Sequence, residues 1–157
     1  MPLKLSTIIK KINLIPNKEN AQIVLNFLEF MKYNGKSEIH QINNLNTLLS
    51  YSNFLGKKSF FNINIKDDVI SFLNTKIKSK DKDPEQKWIT TYNDYFNRIK
   101  HFLRWFYNQY EKDDIIPMNL WKNPSFIEQL KPKETKRLSP YAETEIWEKD
   151  EFLSILK

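Results

Sequence analysis

Apolar residues recur along the first two-thirds of the chain every three or four positions, the spacing that collects them on one side of an α-helix. Between Asn17 and Tyr33 they are Ile23, Val24, Phe27, Leu28, Phe30 and Met31, and Asn34-Gly35 offers a stop, so a first helix is predicted over 17–33. A second is predicted over 37–55, with Ile39, Ile42, Leu45, Leu48, Leu49 and Leu55 along one stripe, Ser37 as N-cap and Gly56 just past the end. A third, over 65–78, has Asn64 placed to cap the amide of residue 67 and buries Val69, Ile70, Phe72, Leu73 and Ile77. The fourth, 84–110, opens with Asp83 as cap, Pro84 at the first helical position and Gln86 three residues after the cap. Its stripe of Trp88, Tyr92, Tyr95, Phe96, Ile99, Phe102, Leu103 and Phe106 marks it as the central core element.

Outside these four the pattern weakens. Residues 1–16 end at Ile15-Pro16 and read as a loosely held arm. Pro117, Pro124, Pro132 and Pro140 punctuate 113–144, which also carries Lys131-Pro-Lys-Glu-Thr-Lys-Arg137, the composition of an extended basic linker. From 145 a short amphipathic segment begins, with Phe152, Leu153 and Leu156 on one face; too short to be stable alone, it reads as the first helix of a truncated second domain. The expected fold is all-α: a compact bundle of about four helices at 1–112, then a linker and a stub.

Composition narrows the chemistry. Two glycines exclude Gly-rich phosphate loops and an all-β fold full of tight turns. The absence of cysteine excludes disulfides and Cys-based zinc sites, and His40 and His101 are too far apart for paired-His metal spacing, so no metal or cofactor is expected. No apolar run is long enough to cross a membrane and Met1 begins no signal-peptide core, so a cytoplasmic protein is expected. The net charge of +6 is unevenly spread: residues 1–80 hold twelve lysines, no arginine and five acids, whereas 81–157 hold thirteen basic and fourteen acidic residues. A basic front half suits a polyanionic partner; lysine bias in an AT-rich genome accounts for it equally well.

The polar sides of the two longest helices carry the candidate chemistry. Over 37–55 that side holds Lys36, Ser37, His40, Asn43, Asn44 and Thr47; over 84–110 it holds Lys87, Thr90, Thr91, Asp94 and Arg98, with His101 at its edge. Lysines and hydroxyls hold phosphates, while Asn, His and Arg reach base edges, so both faces suit a helix laid against a DNA groove. The same residues also suit a plainly solvated helix face.

The order NKENAQIVLNFLEFMKYNGKSEIHQINNLNTLLSYSNFLG, then NIKDDVISFLN, then WITTYNDYFNRIKHFLRWFYN resembles the N-terminal core-binding domain of the tyrosine recombinases, the phage-integrase family, with archaeal integrases nearest in character. The segment RLSPYAETEIWEKDEFLSILK resembles that family's linker and the first helix of its catalytic domain, so the resemblance spans about 17–157. It rests on patterns of residue class, without an invariant chemical signature. It implies a helical domain that closes on duplex DNA as half of a C-shaped clamp. Lys36, Ser37, His40, Asn43, Asn44 and Thr47 match the first DNA-facing helix, Thr90, Thr91, Asp94 and Arg98 the second, and Lys131, Lys133, Lys136 and Arg137 fall in the linker.

The family's catalytic residues have no counterpart. Its tyrosine nucleophile and activating cations belong to a domain that would follow Lys157; Tyr141 matches none of them, and Arg98, Arg104 and Arg137 could not rebuild the site. The chain is therefore expected to bind double-stranded DNA without cutting it, with no membrane contact and no small-molecule substrate, and to oligomerise on DNA only as part of a full-length protein. A helical protein–protein adaptor and a stand-alone DNA-binding regulator are the competing expectations.

Overall fold

The computed structural model describes residues 4–124 and 132–133, and among these every regular element is helical. Five α-helices are present: α1 Leu5–Ile12, α2 Lys18–Tyr33, α3 Glu38–Leu55, α4 Ser71–Asn74 and α5 Trp88–Asn108. Single 3-10 turns occur at Phe60–Asn62 and Met118–Leu120, and a wider π-type turn, Ile65–Ile70, runs into α4. The all-α bundle read from the periodicity is what forms. No helix among the described residues is long and apolar enough to cross a membrane.

The helix ends follow local chemistry. Asn17 caps α2 by accepting from the amide of Asn20 at 3.0 Å, and Ser37 caps α3 by accepting from that of His40 at 3.2 Å. At the end of α2 the Lys36 amide reaches back to the Met31 carbonyl and that of Gly35 to Lys32, a closure that needs the left-handed φ of +69° at Gly35. Asn64 accepts from the amides of both Lys66 and Asp67, as its position predicts.

Three expectations need correction. The N-terminal arm is not loose: Ile8, Ile12 and Ile15 are essentially fully buried and α1 packs on α2 and α3. Their i, i+4, i+7 spacing was itself a helical stripe, obscured by the lysines around it. The third helix does not run unbroken over 65–78; its α-helical part is the single turn of α4, and Ile77 lies exposed beyond it. Finally, α5 begins at Trp88, not 84. Asp83–Gln86 form a turn closed by the Gln86 amide on the Asp83 carbonyl, with Pro84 at its second position and Gln86 at φ +54°. Proline suits that turn position as well as a first helical one. The N-cap position falls on Lys87, whose side chain makes no cap bond; Asp83, five residues before Trp88, instead reaches across the turn to accept from the Trp88 amide at 2.8 Å.

The core is strongly aromatic, and α5 is its wall. Phe102 meets Phe27 of α2 at 5.3 Å between centroids and Phe60 at 5.0 Å, while Tyr95 stacks near Phe72 at 6.1 Å. Trp105 and Ile89 join this buried surface alongside the predicted stripe. The fully buried Asn20 ties α2 to the segment after α3, donating to the Lys58 carbonyl at 2.8 Å and accepting from the Phe60 amide at 3.0 Å. The start of the expected linker also folds onto the bundle. Trp121 is buried, with its ring 5.5 Å from Phe30 and its indole N–H on the Ile116 carbonyl.

Candidate nucleic-acid interface

α3 and α5 lie side by side and antiparallel. His40 near the start of α3 faces His101 late in α5, Thr47 farther along α3 meets Arg98 earlier in α5, and Phe54 near the end of α3 reaches Tyr95 through Phe72. This pairing opens a shallow polar hollow of about 210 Å³ lined by His40, Asn43 and Asn44 from α3 and by Asn97, Arg98 and His101 from α5. Two separate polar faces of the sequence thereby become one seam.

The seam is pre-shaped by its own bonds. Thr47 Oγ1 donates to the Asn43 carbonyl at 3.1 Å and accepts from Arg98 Nη1 at 3.2 Å, which fixes the guanidinium over α3. Among the described residues no carboxylate forms a salt bridge with Arg98, so the rest of its fork is not spent on an acid. Asn44 donates to the His40 carbonyl at 2.8 Å, and His40 Nε2 is buried with no hydrogen-bond partner. Burial, then the positive charges of Lys36 and Arg98, hold the His40 imidazole below its ordinary pKa. His101 is pushed further, down to about 4, by burial first and then by His40, Lys36 and Arg104. Both shifts favour the neutral imidazole, so the rings add no charge to the seam.

The predicted residues divide into groups. Asn44 and Thr47, expected on the solvent side of the second helix, are 4% and 1% exposed. They correct the face assignment: α3 is turned so that Gln41, Asn44, Thr47 and Ser52 share its buried arc with Leu45, Leu48 and Tyr51, while Ile39, read as core, is exposed. Lys36, Ser37 and Asn43 are exposed beside the hollow, though the Ser37 hydroxyl is already engaged as the cap. Thr90, Thr91 and Asp94 are exposed on the N-terminal half of α5 and do not line the hollow, and Lys87 pairs with Glu85 at 3.2 Å. Lys133 is held against α5: the Asn93 side chain donates to its carbonyl and accepts from its amide, and its ammonium lies 5.5 Å from the Tyr92 ring centre. Lys131, Lys136 and Arg137 lie outside the described residues.

Sequence reasoning missed Asn97, whose position one turn before His101 was the available signal. Among the described residues no cluster of three acids or histidines could hold a metal ion. Chemically the seam offers amides, neutral imidazoles and one held guanidinium, which recognise acceptors and donors on a ligand. No protein-family model matches the chain, and neither does any curated protein or solved structure.

Proposed function

We propose that this chain is a duplex-DNA-binding domain of the tyrosine-recombinase core-binding type, one that positions its protein on DNA and leaves cutting to a separate catalytic domain. The observation that supports the reading is the α3–α5 seam, where Arg98, held by Thr47, stands beside His40, Asn43 and Asn97 with Lys36 at the rim. A guanidinium and side-chain amides on adjoining helices are the groups that read base edges, and exposed lysines nearby neutralise phosphates. Asn44 and Thr47 serve this reading as the supports of the seam, since their burial keeps them from a ligand.

Fluorescence anisotropy on a labelled duplex of roughly 30 base pairs, titrated at several salt concentrations, tests it. Contact with about four to six phosphates gives a log–log salt slope of about −4 to −5. An Arg98→Ala, Lys36→Ala double variant should lower affinity and make the slope shallower by about 1–2. Absent binding at low salt would sink the reading.

One observation favours a second, different reading as a protein–protein adaptor. Phe30, Tyr33, Trp105, Gln109 and Ile115 line an apolar hollow of about 570 Å³ between α2 and the end of α5. Tyr33 and Ile115 are largely exposed there, which suits an apolar partner segment. Flat, salt-independent DNA titrations together with capture of an apolar helical peptide would favour the adaptor.

A further inference from the structure

At the opposite end of α5 from the aromatic hollow lies a third concavity, of about 430 Å³, walled by Lys76, Lys78, Lys82, Lys87, Trp88 and Thr91. That volume falls within the range of about 300–1,000 Å³ usual for small-molecule sites. Four lysines around one hollow, with the single carboxylate of Asp83 beside Lys78 and Lys87, leave the wall with an excess of positive charge.

Their present partners leave room for an anion. The sole carboxylate on the wall, Asp83, directs Oδ2 to the Trp88 amide at 2.8 Å and so already occupies the helix end. The free amides of a helix terminus are therefore not what the site offers. Lys76 lies over the Tyr95 ring at 4.5 Å and near Phe72 at 5.4 Å. Lys87 forms its salt bridge with the exposed Glu85, a contact that water and salt weaken, and also lies within the field of Asp83. Lys78 and Lys82 form no salt bridge among the described residues. Trp88 adds a different chemistry: it is half-buried, held at 77° to Tyr92 with centroids 6.2 Å apart, and gives the hollow an aromatic wall.

Cations alone would suit any polyanion; cations beside an indole and the exposed Thr91 hydroxyl suit a phosphate carried next to a flat base. The geometry points to a nucleotide site, with Lys78, Lys82 and Lys87 on the phosphates, Trp88 against the base and Thr91 within the same wall. The ligand is a free nucleoside triphosphate or the nucleotides of an unpaired strand, which present the same chemistry. The residue pattern gives Lys87 and Thr91 to duplex DNA and no residue to a free nucleotide or an unpaired strand. The site stands apart from the α3–α5 seam and does not depend on the duplex reading.

The test is calorimetric titration of the full chain at low salt with ATP, with inorganic tripolyphosphate and with a single strand of roughly ten nucleotides. Each is repeated on a Lys78→Ala, Lys82→Ala variant, whose thermal melt checks that it folds. ATP is expected to bind about tenfold more tightly than tripolyphosphate, because only ATP brings a ring to Trp88. The variant is expected to weaken binding by about tenfold or more. Binding of the strand but not of ATP, with the same lysine dependence, assigns the site to a strand. Equal binding of ATP and tripolyphosphate, affinity unchanged in the folded variant, or no binding by either nucleotide ligand overturns the proposal.

Discussion

At the scale of single residues, His101 shows how burial turns a common side chain into a pH-sensitive one. Its ring lies 5.7 Å from Phe27, 6.3 Å from Phe30 and 6.4 Å from Trp121, so a proton on it would be poorly solvated. The folded state holds its pKa at about 4, against an ordinary value of 6.5. Above about pH 6.5 the ring is neutral in both states and the fold bears no penalty. As pH falls from 6.5 towards 4 the unfolded chain takes up the proton first, so stability drops across that window and levels off below it. Discounted for its partial contact with solvent, the loss between pH 7 and pH 5 should be on the order of 1–2 kcal/mol. Urea midpoints at the two pH values check this, and His101→Phe should remove most of the difference. His40, shifted in the same direction, accounts for some of what remains.

At the scale of elements, α1 is the clearest test of what holds the bundle together. Ile12 is wholly buried in the cluster that α1 makes with α2 and α3, and Ile12→Ala should cost about 2–4 kcal/mol in chemical denaturation. A loose arm would leave the midpoint where it was. The helices themselves were legible because a period near 3.6 survives any packing arrangement, and Asn17, Ser37 and Asn64 cap where they stand because a cap is decided within four residues. The facing of α3 was not legible to the same degree. Asn44 and Thr47 sit where its apolar arc meets its polar one, and only the neighbouring α5, with Arg98 reaching across, makes that border a buried one. Of the candidate site, then, the residue types and both helices could be read in advance. The separation of the seam from Lys87, Thr90 and Thr91 could not, because it depends on how two helices lie against each other. The lysine hollow was missed for a related reason: Lys76 and Lys78 come from the end of the predicted third helix, Lys87 from the start of the fourth and Lys82 from between them, and only the fold brings them together beside Trp88.

At the scale of the whole molecule, two asparagines of α5 do the same task fifteen residues apart. Asn108 donates to the Lys122 carbonyl and accepts from its amide, at 2.8 and 2.9 Å, as Asn93 does for Lys133 at 3.0 and 2.9 Å. Each side-chain amide stands in for a peptide group, pinning the chain that follows α5 back onto it at both contacts. Asn93→Ala should free the Lys133 amide to exchange with solvent roughly tenfold faster while leaving that of Lys122 unchanged. Asn108→Ala should do the reverse. Hydrogen exchange followed by NMR reads both, and equal rates in wild type and variants would show that the clasps do not form in solution.

The position of α5 also governs when the protein can become itself. Phe27, Phe60 and Phe72 each meet a ring on this one helix, beside the contacts that Phe60 and Phe72 make with Tyr51 of α3, and it is the last of the five to be made. During synthesis at about 5–20 residues per second, roughly 2–7 seconds separate the completion of α4 at Asn74 from that of α5 at Asn108. Through that interval Phe27, Phe60 and Phe72 lack their contacts on α5, and only the last two have a ring of α3 beside them. The nascent chain is then at its most exposed to holdases and to its own neighbours on the polysome, and a slow codon run just before residue 88 would lengthen the wait.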